Sequence, residues 1–174
     1  AACSLPTSRY PGKVRFGLTL FPDTVTPNCE QSAIPIPIGD ANEGAIQARL
    51  AAALDAGNAE YPKGPCVTNI DTAMQQAAAA PELTDTTRDN YVALITDGKQ
   101  AGCNAAGGDN GTLMIIQNLL AAGVPTFVVG FGSGVDPAQM DIFAQAGGVP
   151  NTMPLYYDAA DQMSLQTVLD VIAT

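Results

Sequence analysis

Apolar positions recur along this chain in two rhythms, and the rhythm switches from segment to segment. At 14–21, Val14, Phe16, Leu18 and Leu20 alternate with other residues, the period-two pattern of a strand with one buried face. Pro22 and Asp23 end it. Prolines then punctuate the stretch from Thr24 to Pro37, leaving room for one short edge strand over 34–38. Asp40 or Asn42 can cap a helix whose Ile46, Leu50 and Leu54 follow at spacings of four, and Gly57 stops it. After a loop at 64–69, Thr68 or Asn69 can cap a second helix that buries Ile70, Ala73, Met74 and Ala77 and ends at Pro81.

The second half repeats one theme. Tyr91 to Thr96 is a continuous apolar run, the mark of a strand buried on both faces. A glycine- and asparagine-rich loop over 98–111 follows, then a helix marked by Leu113, Ile116, Leu119 and Leu120 and closed by Gly123. Pro125 to Phe131 is another buried strand, and Asp136-Pro137 opens a helix with Met140, Phe143 and Ala144 inward. A strand near 153–157 and a last helix from Asp161, carrying Val168, Leu169 and Ile172, complete the pattern. Strand–helix alternation predicts an α/β fold: a doubly wound, mainly parallel sheet with helices on both faces, and the 91–96 and 125–131 strands as neighbours. No internal repeat or linker divides the chain, so we read an N-terminal loop segment at 1–12 and a single domain over 13–174.

Composition narrows the function. With 17 acidic residues against 7 basic ones and a net charge of −10, the chain lacks the basic surface that nucleic acid or an anionic membrane would need. The same charge suits divalent cations, although a solvated acidic surface is the more common explanation. No apolar run reaches the ~20 residues that span a bilayer. No basic-then-apolar leader opens the chain, which therefore reads as mature or trimmed. Histidine is absent, which excludes Ser-His-Asp, Cys-His and zinc–histidine chemistry. We expect no enzyme; a metal-dependent hydrolase working through carboxylates is the weakest of the readings considered.

Cys3, Cys29, Cys66 and Cys103 are widely spaced and form no Cys-x-x-Cys pair, against a zinc ribbon or a thioredoxin-like site. An even count in loop contexts points to two disulfides and an oxidising compartment: extracellular, cell-surface or periplasmic. Four reduced, buried thiols are the alternative. Of the three pairings, Cys29–Cys66 with Cys3–Cys103 is the favoured expectation, because Cys29 leaves the first strand and Cys66 precedes the Thr68 loop.

Candidate chemistry gathers where the 91–96 strand ends in Thr96-Asp97-Gly98. In open α/β sheets ligands bind outside the carboxyl ends of strands, so Asp97 is either a turn cap or a metal ligand. Gly130-Phe131-Gly132-Ser133-Gly134 lacks the lysine of a phosphate-binding loop. Gly107-Gly108-Asp109-Asn110-Gly111 lacks the alternating acids of a calcium loop and reads as a flexible one. Tyr156-Tyr157-Asp158 reads as the end of an edge strand.

Four stretches together resemble a von Willebrand factor type A domain of the bacterial exported kind. They are Tyr91 to Gly98, Thr68-Asn69-Ile70-Asp71-Thr72-Ala73-Met74, Val124 to Gly132, and Met140 through Ala146-Gly147-Gly148. The resemblance covers about residues 13–174. It implies a metal-ion-dependent adhesion site, with a Thr68 hydroxyl and an Asp97 carboxylate contributing to Mg²⁺, Mn²⁺ or Ca²⁺ and an open position for an acidic group of a protein or glycan ligand. Oxygen donors of this kind suit hard divalent cations. One departure matters: the family's Asp-x-Ser-x-Ser, at the end of its first and central strand, is nowhere in this chain. The 14–21 strand is similar to the family's second strand.

The chain therefore lacks a central strand and its metal-ligating positions, and we expect that strand from an upstream fragment of the same precursor or from a neighbouring subunit. A sheet with an empty centre would leave rows of N–H and C=O groups unpaired, at about 1–3 kcal/mol each where buried. The functional expectation is an adhesion or interaction module with a cation site completed from outside. The alternative is a structural subunit that assembles by strand donation around a vestigial site.

Overall fold

The computed structural model describes residues 14–22, 29–61 and 67–172. The expected loop at 1–12, Cys3, and the 64–66 part of the loop before Thr68, with Cys66, lie outside them.

Two apolar runs build the centre of the larger sheet. Strand β3 (Val92–Thr96) pairs in parallel with β4 (Thr126–Phe131), in register from Val92 opposite Thr126 to Thr96 opposite Gly130. β4 pairs in parallel with β5 (Tyr157–Ala159), giving the order β3-β4-β5. The neighbours expected from sequence are therefore neighbours, and parallel. β5 begins only at the last residue of the 153–157 stretch read as strand and runs past it. Asp141 Oδ1 accepts the amides of Leu155, at 2.7 Å, and Tyr156, holding that stretch against a helix instead of the sheet.

Three helices cover one face. α2 (Ile70–Ala78), α3 (Gly108–Ala121) and α4 (Pro137–Ala146) send Ile70, Met74, Ile116, Leu119, Met140, Phe143 and Ala144 onto Leu94 and Val128. Asp136 caps α4 as its Asp-Pro sequence predicts, accepting from the amides of Ala138 and Gln139. α5 (Gln162–Ile172) packs on β5 and β4, where Val129 and Ala159 are fully buried outside that cluster. It is preceded by Asp161, whose carboxylate accepts from Ser164 N at 2.8 Å. The fold is thus α/β, with a three-stranded parallel sheet flanked by helices.

α3 begins earlier than sequence suggests. The stretch 108–111, read as part of a flexible loop, forms its first turn. Glycine and asparagine are poor helix formers, but the amides that start this helix are satisfied from outside by Asp71.

The amino-terminal part forms a second, separate sheet. β1 (Phe16–Leu18) pairs antiparallel with β2 (Ile36–Gly39), which tolerates Pro37 as an edge. α1 (Glu43–Leu54) follows; Asn42 precedes it without a side-chain cap and instead donates to Phe16 O and Pro37 O, each at 2.8 Å. Of the three apolar positions expected inward on α1, only Ile46 is buried, and Leu54 is 84% exposed.

β1 and β3 belong to different sheets and share no ladder among the described residues. Contacts outside the sheets tie the β1 segment to the larger unit, and Phe21 packs on its core. Before the strands, Arg15 binds Asp85 at 2.7 Å. After them, Thr19 donates to Gln76 of α2, and Gln31 bridges Leu20 O and Asn69 Nδ2, at 2.9 and 3.2 Å.

Candidate functional site

The carboxyl end of β3 meets the loop that enters α2. Thr68 and Ala101 form a two-way backbone bridge, with N–H to O distances of 2.9 and 3.0 Å. The bridge lays Thr68 across the turn that follows Asp97: the Thr68 hydroxyl lies 3.5 Å from where a Cβ on Gly98 would stand. The two residues singled out as metal ligands, Thr68 and Asp97, therefore sit on touching loops, the first half-buried and the second exposed. Gly134, after β4, closes the other side, since a Cβ there would fall 2.4 Å from Asp97 O. That approach leaves room for glycine alone.

Beneath this edge lies a buried polar frame. Asp71 is fully buried and its carboxylate accepts from Thr72 N, Gln100 Nε2, Ala106 N and Gly108 N at 2.8 to 3.0 Å. Gln100 returns a bond by accepting Asp71 N–H at 3.0 Å, and its own amide donates to Gln139 on α4. This pair pins the loop at 98–107 over the start of α2 and completes the first turn of α3. Sequence reasoning passed over Asp71 and Gln100 as functional residues. A signal was present: an acid in the first turn of a helix otherwise lined by apolar residues.

The frame also decides the cysteines. Cys29 is bonded to Cys103, with Cα atoms 5.4 Å apart. The expected pairs Cys29–Cys66 and Cys3–Cys103 are both overturned, because the loop folded back by Asp71 and Gln100 brings the buried Cys103 to Cys29. Cys3 and Cys66, the other two expected disulfide residues, lie outside the described residues.

The donor set tests the expected cation. Thr68 and Asp97 offer two oxygen ligands, where Mg²⁺ takes an octahedron and Ca²⁺ about six to eight. No group of three or more acidic, histidine or cysteine side chains gathers to hold a metal among the described residues. This pair does not make a closed Mg²⁺ or Ca²⁺ site by itself. Asn69, next to Thr68, is fully buried and its Oδ1 has no hydrogen-bond partner.

No protein-family model and no curated protein matches this chain. Among solved structures, it is similar to proximal thread matrix protein 1 from the mussel byssus in crystal form 2, at 18% sequence identity and a TM-score of 0.49. The match covers 75% of this chain and 30% of the mussel chain, so this chain spans less than a third of that one. A likeness of that size carries no argument about function.

Proposed function

We propose that the chain is a non-enzymatic interaction module of the von Willebrand factor type A kind, whose sheet is completed by a strand from another segment. The observation that carries the reading is the gap between β1 and β3, which lie in separate sheets. Val92 N–H donates to Pro125 O on the β4 side at 3.0 Å. In a parallel strand the bonding direction alternates, so the N–H and C=O of Ala93 and Ile95 point to the edge that has no partner strand among the described residues. A strand placed there joins the two halves into one doubly wound sheet. It also ends beside Thr68 and Asp97, where it adds the oxygen ligands the pair lacks. The completed edge binds Mg²⁺ or Ca²⁺ and, through it, an acidic group of a protein or glycan ligand. A disulfide, together with the absence of any helix long and apolar enough to cross a membrane among the described residues, is compatible with an extracellular, cell-surface or periplasmic setting.

Titration calorimetry tests this reading. The chain alone is expected to give no heat with Mg²⁺, Mn²⁺ or Ca²⁺, whereas the chain bound to its completing segment gives heat that Asp97→Ala removes. Heatless titrations of the completed protein refute the cation site.

A second reading draws on β3 itself. Val92 to Thr96 carries neither charge nor proline, the features that blunt an exposed edge. The same edge then serves donation between copies, which makes the chain a structural subunit. Concentration-dependent polymers of the chain alone, seen by light scattering, favour it.

A further inference from the structure

A groove of about 600 Å³ opens between α1, the start of β2 and the turn at 58–60. Its apolar lining comes from buried Ile36 of β2 and from Ala45, Ala48 and Ala52 of α1. The three alanines follow one another at spacings of three and four, so they share one helix face. Their side chains end at Cβ, which leaves the space beside the helix open.

One cation lines this groove. The Arg49 side chain is only 13% exposed, yet its guanidinium is half used. Nη1 donates to Glu60 O at 3.2 Å and lies 3.5 Å from the Glu60 carboxylate. That carboxylate is 52% exposed, and the contact is longer than the ~2.7–2.9 Å of a close charge-assisted bond. Nε and Nη2, the other edge of the fork, meet no acceptor among the described residues. Withdrawing a guanidinium from water with donors unmet is costly unless something else meets them.

We propose that this groove binds a small aliphatic carboxylate, with its charge on the free edge of Arg49 and its chain along Ala45, Ala48 and Ala52. The site does not depend on how β3 is completed. Charge selects the head group: two carboxylate oxygens match the two parallel N–H groups of a guanidinium edge. The apolar lining selects the tail. Ala45 to Ala52 spans about 10 Å along the helix, room for an extended chain of several carbons.

Size separates a free acid from a protein partner. Small-molecule sites measure about 300–1,000 Å³, whereas a stable protein interface takes about 20–30 residues from each side. Nine residues line this groove, which fits the first. The chain carries −10 overall, so an anion gains nothing from long-range attraction and depends on the direct contact with Arg49.

Ligand-observed NMR titration of octanoate into the disulfide-intact, 174-residue chain tests the site. A ligand of about ten non-hydrogen atoms should bind with a Kd of about 1 mM or below. Octan-1-ol keeps the tail and acetate keeps the charge, and each should bind at least about tenfold more weakly. Arg49→Gln should weaken octanoate about tenfold, and Arg49→Lys by most of that, because lysine keeps the charge and loses the fork. Glu60→Gln, which removes the competing carboxylate, should tighten binding. Ala48→Leu fills the groove from an exposed helix position and should abolish binding with Arg49 in place. Urea midpoints identify the folded variants, and if Arg49→Gln does not fold, Ala48→Leu decides. Equal affinity for octanoate and octan-1-ol overturns the proposal, as does octanoate binding that neither Arg49→Gln nor Ala48→Leu weakens. Absence of octanoate binding at about 10 mM overturns it too, including the case in which another part of the molecule already fills the groove.

Discussion

Asp71 and Gln100, 29 residues apart in sequence, hold each other by two hydrogen bonds: Gln100 Nε2 donates to Asp71 Oδ1, and Asp71 N–H donates to Gln100 Oε1, both at 3.0 Å. One pair thus joins the start of α2 to the loop after β3. Through Ala106 and Gly108 it reaches the start of α3 as well. Everything at the carboxyl edge of the sheet, Thr68 and Asp97 included, is mounted on this frame.

Replacing Asp71 should therefore unfasten the edge. Asp71→Asn turns an amide NH2 toward two of the four donors, leaving either the Ala106 and Gly108 amides or Thr72 N and Gln100 Nε2 without an acceptor. A loss of about 3 kcal/mol is expected, from buried donors at about 1–3 kcal/mol each. Urea unfolding of the two proteins measures it, and a change below about 1 kcal/mol contradicts the frame.

Disulfide mapping checks the pairing. Non-reducing digestion should yield a peptide joining Cys29 to Cys103. With those two engaged, Cys3 and Cys66 are the expected second pair, and no cysteine should react with iodoacetamide in the native protein. The Cys29–Cys103 link closes a span of 74 residues, worth about 4 kcal/mol in the chain-entropy model. Unfolding of the Cys29→Ser, Cys103→Ser double variant measures that contribution.

Amide exchange reads the edge of β3 directly. In the chain alone, Leu94 and Thr96 donate toward β4 and should exchange slowly, whereas Ala93 and Ile95 should exchange with the loops. Equal protection at all four positions means that the edge is occupied.

Acid should loosen the contact at the flanks of β1 and β3. The Asp85 carboxyl accepts the Thr87 hydroxyl and amide and pairs with Arg15, which brings its pKa from 3.8 down to about 2. A depressed carboxyl pKa gives stability that is present above the ordinary value and lost as pH falls through the folded one. The urea midpoint should thus fall between about pH 4 and about pH 2, and Asp85→Asn should flatten that fall. Asp161, lowered by the Ser164 amide and hydroxyl, adds a change of the same sign that survives in the variant.

Sequence by itself determined the elements whose cause is local. The runs at 91–96 and 125–131 had to be strands, because a short, wholly apolar segment bounded by turns has few other ways to bury itself. Asp136-Pro137 had to start a helix, since proline lacks an amide and aspartate supplies the cap. Sequence also placed Thr68 and Asp97 at strand and helix ends, from which the fold brings their loops into contact. Tertiary structure alone decided the rest. The first turn of α3 depends on a carboxylate 37 residues away, β5 starts where Asp141 releases the chain, and Cys29 takes Cys103 because a folded loop delivers it. The outer edge of β3 is different: the motif missing from the sequence pointed to it, and among the described residues no strand pairs there. Strand–helix alternation sets β3 beside β4, but the polar and disulfide contacts that tie a loop to a distant helix carry no such pattern, and no spacing along the chain encodes them.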